Sequence, residues 1–466
     1  MSMIHFRTIM LYQSLFLTIC FLLPFWVPAL QAQEKEWKVT QATLDNGLQV
    51  LMLEDHRAPV VTVQVWYKVG SRNERPGITG ISHLLEHLMF RGTPKYGQGE
   101  FSRLVQEKGG SHNAFTANDQ TVYFENAASA HFDLLLELEA DRMANLTLED
   151  ASFTAEKKIV MEERRMRTAD EPAADLYEQV SAAAFTAHPY GWPVVGWMSD
   201  LEAISLDDVK SYRQVFYAPA NAILVVAGDI IPSMLLPKIQ ATFGAIPAGP
   251  TAPKVTSQEP PQRGERRVTL KRPASLPVYI AGYHAPNYKS EDSFPLALLS
   301  VVLAGGRSSR LQTNLVEDKA LALAADADYD RTSQDPSQFT LSMRLAPGKS
   351  WKEAEAALYQ EVEKLKTQLV SEKELERAKN LVEASFTYGQ DSLFYRAMQI
   401  GEYASLGDWS LIQKVIPSIR AVTAEDLQRV AKTYLTEDNR TVGLLMPEGA
   451  PVREAASSGL GHGTVH

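Results

Sequence analysis

The sequence predicts an α+β protein built from two similar sheet-and-helix halves. Three observations carry this expectation. Stretches with strand alternation are joined by hairpin signals, with helical patterns grouped between them. A segment of the first half reappears in the second at a constant offset of 218 residues. A proline-rich, almost apolar-free stretch separates the two, in a chain of 466 residues that exceeds what one hydrophobic core usually serves.

Taken in order, residues 1–32 stand apart. Arg7 is the one formally charged residue among them, a largely apolar run covers residues 9–30, and Ala29-Leu30-Gln31-Ala32 precedes Gln33-Glu34-Lys35-Glu36. This is the pattern of a secretory signal cut after Ala32, which directs the protein to the periplasm or outside the cell. The alternative is an uncleaved anchor, because the run is long enough to span a bilayer, and membrane association is expected only in that case. Cys20 is the sole cysteine and lies inside this segment. A cleaved chain therefore has no disulfide and no thiolate ligand, and any metal must be held by His and carboxylates.

Asn46-Gly47 marks a hairpin turn within residues 43–55, and residues 60–69 alternate as a strand. Helical periodicity covers residues 80–90, 129–144, 154–167, 351–369 and 372–384. Residues 201–209 resemble 419–427, and the same offset links Phe216 to Tyr434 and Asn221 to Asn439. Each copy opens with a hydroxyl residue three positions before an aspartate (Ser205 and Asp208, Thr423 and Asp426), a helix-start box, and ends in an apolar strand. Duplication explains these matches better than coincidence does. The expected organisation is a signal at 1–32, a first domain at 33–245, a linker at 246–266 carrying Pro247, Pro250, Pro253, Pro260 and Pro261, a homologous domain at 267–450, and a flexible tail at 451–466.

Apolar residues at 45% and charged residues at 22% exclude a largely disordered chain. With 46 basic against 56 acidic residues and no basic run, neither nucleic acid nor an anionic membrane face is an expected partner.

The chemistry centres on His83-Leu84-Leu85-Glu86-His87. On a helix, His83, Glu86, His87 and Phe90 share one arc of about 100°, while Ile81, Leu84, Leu85 and Leu88 take the opposite side. Histidines at i and i+4 can both reach one zinc ion, and a carboxylate beside them can take a proton from water. A third ligand is expected, and residues 156–163 offer one. Glu163 lies angularly between Ile159 and Val160 on the apolar stripe, whereas Glu162 points to solvent. A carboxylate on an apolar stripe is costly unless a cation or donors meet it. Glu156 lies on the same stripe, two turns earlier.

With these residues the chain resembles the pitrilysin and mitochondrial-processing-peptidase family, the inverted-motif zinc peptidases. That family carries His-x-x-Glu-His and a ligand Glu some 75 residues later; here Glu163 follows His87 by 76 positions. The likeness extends through Leu44 to Leu48, Gly70-Ser71, Phe90 to Thr93, Gly109-Gly110, Asn113 to Thr116, Tyr190-Gly191 and Tyr217 to Asn221. The resemblance implies that the two homologous domains form a clamshell around a peptide cavity, and that the chain is an exported zinc metalloendopeptidase with one Zn2+ per chain held by His83, His87 and Glu163. Glu86 is then the general base and Glu156 supports the site from behind the ligands. It further implies that Asn113 and Ala114 lie on an edge strand that pairs with an extended, unfolded peptide substrate.

One departure stands out. Fully equipped relatives carry an Arg and, seven positions later, a Tyr in the second half, and Val316 and Leu323 occupy those places here. Neither aliphatic chain can hydrogen-bond a developing oxyanion. The resemblance therefore implies a heterodimer, with a related two-domain subunit supplying Arg and Tyr. Substitution by a local Arg307 or Arg310 is the alternative. A non-catalytic scaffold or peptide-binding subunit of the same fold is the rival reading of the whole chain.

Overall fold

The computed structural model describes residues 37–448; the signal segment with Cys20 and the tail from residue 449 lie outside the described residues. Six strands form the first sheet: β1 (Val39–Thr43), β2 (Gln49–Glu54), β3 (Val60–Tyr67), β4 (Ser111–Thr116), β5 (Thr121–Ala128) and β6 (Ala222–Gly228), in spatial order β1-β2-β6-β3-β5-β4. Five form the second: β7 (Arg266–Arg272), β8 (Val278–Ala285), β9 (Ala322–Tyr329), β10 (Ser337–Leu345) and β11 (Arg440–Pro447), in order β7-β11-β8-β10-β9. Both are mixed sheets, parallel only at β2·β6 and at β7·β11. The expected α+β class with two sheet-and-helix halves is what the chain adopts.

The internal repeat is visible in three dimensions. The 218-residue offset carries β3 onto β8 and helix Leu206–Phe216 onto helix Ala424–Tyr434 residue for residue. It also brings β2 onto β7 and β6 onto β11 within one residue at either end. Ser205 accepts from the Asp208 amide and Thr423 from the Asp426 amide, so both helix-start boxes form. After each helix the matched asparagine ties the chain back: Asn221 Nδ2 donates to the Phe216 carbonyl at 2.9 Å, and Asn439 Nδ2 to the Tyr434 carbonyl at 2.8 Å.

Strand alternation sorts β3 into two faces. Val61, Val63, Val65 and Tyr67 join a large core with Ile81, Leu84, Leu85 and Leu88, all essentially buried. The opposite face, with Trp66, is covered by a helix from the other half, Leu393–Ser405. The arrangement is reciprocal, since helix Pro172–Ala184 of the first half packs on β7, β8 and β11. Glycines permit both approaches. A Cβ on Gly401 would stand 2.1 Å from Trp66 Cε2, and one on Gly443 would stand 2.2 Å from Val180 Cγ2. The two halves thus exchange helices, which periodicity along the chain does not reveal.

The helix expected over residues 154–167 begins earlier, at Asp150, and is α-helical only to Arg164; a π-helical turn, Arg165–Ala169, follows. Its buried stripe also differs from expectation. Phe153, Glu156, Val160 and Arg164 are buried, but Ile159 is 47% exposed. The arc around Glu163 is therefore the margin of the stripe, and Glu163 is half-buried.

Candidate metal centre

Helix Ile81–Leu88 is seated at both ends of its first turn. Gly80 has φ +89° and approaches Gly196, itself at φ +85°, so closely that a Cβ on Gly80 would lie 2.3 Å from the Val195 carbonyl oxygen. Only glycine meets both demands. The buried Glu74 carboxylate accepts from the Gly80 and Ser82 amides at 2.7 and 2.9 Å, satisfying donors a helix start leaves open. On the inner side, four buried aliphatic chains each contribute about 1.5–3 kcal/mol of burial.

That seating turns His83 and His87 toward helix Asp150–Arg164. His83 Nε2 stands 3.6 Å and His87 Nε2 3.3 Å from Oε2 of Glu163. The three ligand atoms lie within 4.8 Å of one another, and among the described residues no other His, Cys, Asp and Glu group meets that criterion. The contact lengths suit a tetrahedral ion bound at about 2.1 Å, whose ligand atoms stand about 3.4 Å apart. Glu163 Oε2 is buried and has no hydrogen-bond donor. An anionic oxygen in that condition, faced by two imidazole nitrogens, fits a cation. The residues singled out in the sequence are thus brought together, while Glu162 stays exposed and pairs with Arg165.

Around them stands a set of orienting contacts. His87 Nδ1 lies 3.1 Å from Glu156 Oε2, and Arg91 forms an ion pair with the other Glu156 oxygen. His87 is therefore held from behind as metal-binding imidazoles commonly are. His83 is not: its Nδ1 is buried without a partner. Burial, with the nearby His87 and Arg167, pushes the His83 imidazole down to about 3, so it remains neutral at ordinary pH. Glu86 accepts from the Thr116 hydroxyl at 2.5 Å. Burial raises its carboxyl above the usual range, an effect Thr116 partly offsets.

Thr116 ends β4, the outer strand of the first sheet, so the same hydrogen bond joins the motif helix to a free sheet edge. Asn113 and Ala114 lie on this strand rather than in a turn after Gly110. Asn113 is exposed, and its Oδ1 accepts from the Ala114 amide at 2.9 Å, shielding that donor. One residue past Thr116 begins a cleft of about 210 Å³, bounded by Ala117 and Asn118, by Tyr177, and by Asp328 and Gln338 of the second half.

Val316 lies in a second π-helical turn, Gln312–Asp318, and Leu323 is 50% exposed on the edge strand β9. Arg310 is engaged by Glu374 at 2.9 and 3.2 Å, which removes one of the two local substitutes, and Arg307 is exposed. Sequence reasoning missed Thr116, Arg91 and Arg167 as site neighbours. The two arginines follow His87 and Glu163 at helical i+4 spacing, a signal that was present but shared with many surface pairs.

Comparison with known proteins places this geometry in context. Residues 49–196 match the family described as "Insulinase (Peptidase family M16)", and residues 203–382 match "Peptidase M16 inactive domain". The zinc protease PqqE of Helicobacter pylori is 34% identical over 90% of this chain and 95% of its own length. The uncharacterized zinc protease YmxG of Bacillus subtilis is 27% identical over 88% and 99%. A crystal structure of a protease from Helicobacter pylori superposes with a TM-score of 0.86 at 33% identity, covering 88% of this chain and all of that one. The Escherichia coli periplasmic protease PqqL shares the fold at a TM-score of 0.72 and 17% identity; this chain covers 48% of it.

Proposed function

Because the chain belongs to the M16 peptidase family, the insulinase and pitrilysin family, we propose that it is an exported zinc metalloendopeptidase that hydrolyses extended peptides. The observation that carries this reading is the convergence of His83, His87 and Glu163 on one point beside Glu86. Zinc, when bound there, supplies a Lewis acid that lowers the pKa of a water and polarises a carbonyl. His83 and His87 bind through Nε2 and Glu163 through a carboxylate oxygen. Glu156 holds the His87 ring from Nδ1. Glu86 takes the proton of the attacking water and later passes it to the leaving amine. Thr116 keeps that carboxylate aimed while β4 offers its edge to the substrate main chain around Asn113 and Ala114.

The proposed organisation keeps the first domain at 33–245, the linker at 246–266 and the second domain at 267–450. Export rests on the signal-like residues 1–32; among the described residues no helix is long and apolar enough to cross a membrane. The aliphatic Val316 and Leu323 favour a partner, a related two-domain subunit that supplies the oxyanion donors. Loss of one such donor costs ~100- to 1000-fold in rate.

A second reading, a non-catalytic scaffold or peptide-binding subunit, draws on the match to the "inactive domain" and on the same two aliphatic residues. That match spans residues 203–382 and so leaves His83 through Glu163 outside it.

The deciding experiment is cleavage of unstructured peptides by the purified, zinc-loaded chain, alone and with a related Arg- and Tyr-bearing subunit. Activity that Glu86→Gln abolishes supports the enzyme. Full activity of the isolated chain refutes the partner, and no cleavage under either condition refutes the peptidase. A tightly folded substrate should resist cleavage throughout.

A further inference from the structure

Resting on the metal-site reading above, we propose that Arg167 is a positioning residue. It holds Oε1 of Glu163, so that the carboxylate presents a single oxygen, Oε2, to the ion bound by His83 and His87.

The two oxygens of Glu163 stand in different circumstances. Oε1 forms an ion pair with the Arg167 guanidinium, whose terminal nitrogen stands 2.6 Å away. Oε2 is buried, has no donor, and faces the two imidazole nitrogens at 3.3 and 3.6 Å. A free carboxylate binds a cation through one oxygen or both. One whose second oxygen is already occupied by a guanidinium binds through the other alone. On a three-residue site this keeps a coordination position for water, which separates a catalytic site from a closed structural one.

Local structure explains how Arg167 reaches. The α-helix that carries Glu163 ends at Arg164, and Arg167 stands on the π-helical turn Arg165–Ala169, which leads to helix Pro172–Ala184 on the second sheet. π-Helical turns recur at functional sites. The Arg167 side chain is 66% exposed, so solvent screens its net charge. What remains is directional: which oxygen is occupied, and in which plane the carboxylate lies. Arg167 is thus separate in role from Arg91, which pairs with Glu156.

The test uses the full chain stripped of metal and titrated with Co2+, whose visible absorption is intense in four-coordinate sites and weak in five-coordinate ones. Wild type, Arg167→Met, Arg167→Lys and Glu163→Gln are compared, with folding checked by circular dichroism. Methionine keeps the length of the chain and removes every donor; lysine restores one. Wild type and Arg167→Lys are expected to show the four-coordinate band, and Arg167→Met to lose it. Retention of that band in Arg167→Met, in a series where Glu163→Gln abolishes it, overturns the role of Arg167 and leaves the metal site standing. A wild-type chain that takes up no cobalt overturns both the metal-site reading and this inference.

Discussion

Gly401→Ala tests the seam at which the halves exchange helices. Gly401 lies inside helix Leu393–Ser405, where alanine by itself is favoured by about 1 kcal/mol. The added methyl would stand 2.1 Å from Trp66 Cε2, 2.4 Å from Nε1 and 2.6 Å from Cζ2. Comfortable carbon contacts begin near ~3.5 Å, so ring and helix must separate by roughly 1.4 Å. The ring cannot swing aside cheaply. Trp66 is 1% exposed, and its Nε1 donates to Gln64 Oε1 at 3.0 Å. Forcing a methyl into a packed core costs about 1–3 kcal/mol, occasionally more. At an approach of 2.1 Å the strain lies in the upper part of that range, about 2–3 kcal/mol, so it outweighs the helix gain and a net loss of about 1–2 kcal/mol is expected. Gly389→Ala is the control, because that glycine ends helix Glu372–Gly389 with nothing within 4 Å of the added atom. Urea unfolding followed by tryptophan fluorescence reads both variants. The midpoint should fall for Gly401→Ala and hold or rise for Gly389→Ala. A Gly401→Ala midpoint equal to or above wild type would refute the claim that the ring blocks this position.

Other outcomes follow from the metal centre. Glu163→Gln should lose most bound zinc and Glu162→Gln almost none, measured by metal analysis after dialysis; equal retention would mean the wrong carboxylate has been named. Glu86→Gln should keep zinc and bind peptide while cleaving none, because only the proton acceptor is lost; wild-type turnover in this variant removes Glu86 from the mechanism. Metal-free chain should lose stability on acidification. His83 sits at about 3 when folded and near ~6.5 when unfolded, so the unfolded state binds more protons between those values. The resulting loss, below pH ~6.5 and toward 3, is at most about 1.4 kcal/mol per pH unit. Urea midpoints at pH 7.5 and pH 5 should differ more for wild type than for His83→Gln, a comparison that cancels the opposite contribution of Glu86; equal differences would show His83 to be titrating normally.

Much of the centre was legible because it is local. His83, Glu86 and His87 share one helical arc, and periodicity alone assigns their face. Glu163 was singled out partly for the wrong reason. The stripe argument used Ile159 as a buried marker, yet Ile159 is exposed, so the resemblance in spacing supports Glu163 as the proposed ligand better than burial does. The repeat at offset 218 was legible where it preserves a box and a strand, and illegible at β4–β5 and β9–β10, where the segments that join the strands differ in length. β4 itself is half polar (Ser111, His112, Asn113, Thr116), as an edge strand is, and carries no clean alternation. The helix exchange and the Arg167 contact depend on where a chain goes after it leaves a helix. A π-helical turn sets that course and has no residue pattern of its own.

The order of strands has a consequence for how the molecule is made. In the first sheet β6 lies between β2 and β3, and in the second β11 lies between β7 and β8. An interior strand of each sheet is thus the last of its strands to be synthesised. Until Gly228 has emerged, β2 and β3 share no hydrogen-bonded neighbour, and the hairpin β1–β2 and the strands β3, β5 and β4 remain separate pieces. Such long-range closure is slow, because the entropy of closing the loop is lost before the contact forms. Under the export proposed above, that delay would keep the chain threadable. The same topology makes the end of each half indispensable: a truncation that removes Arg440–Pro447 takes an interior strand out of the second sheet and strips β7 of its neighbour.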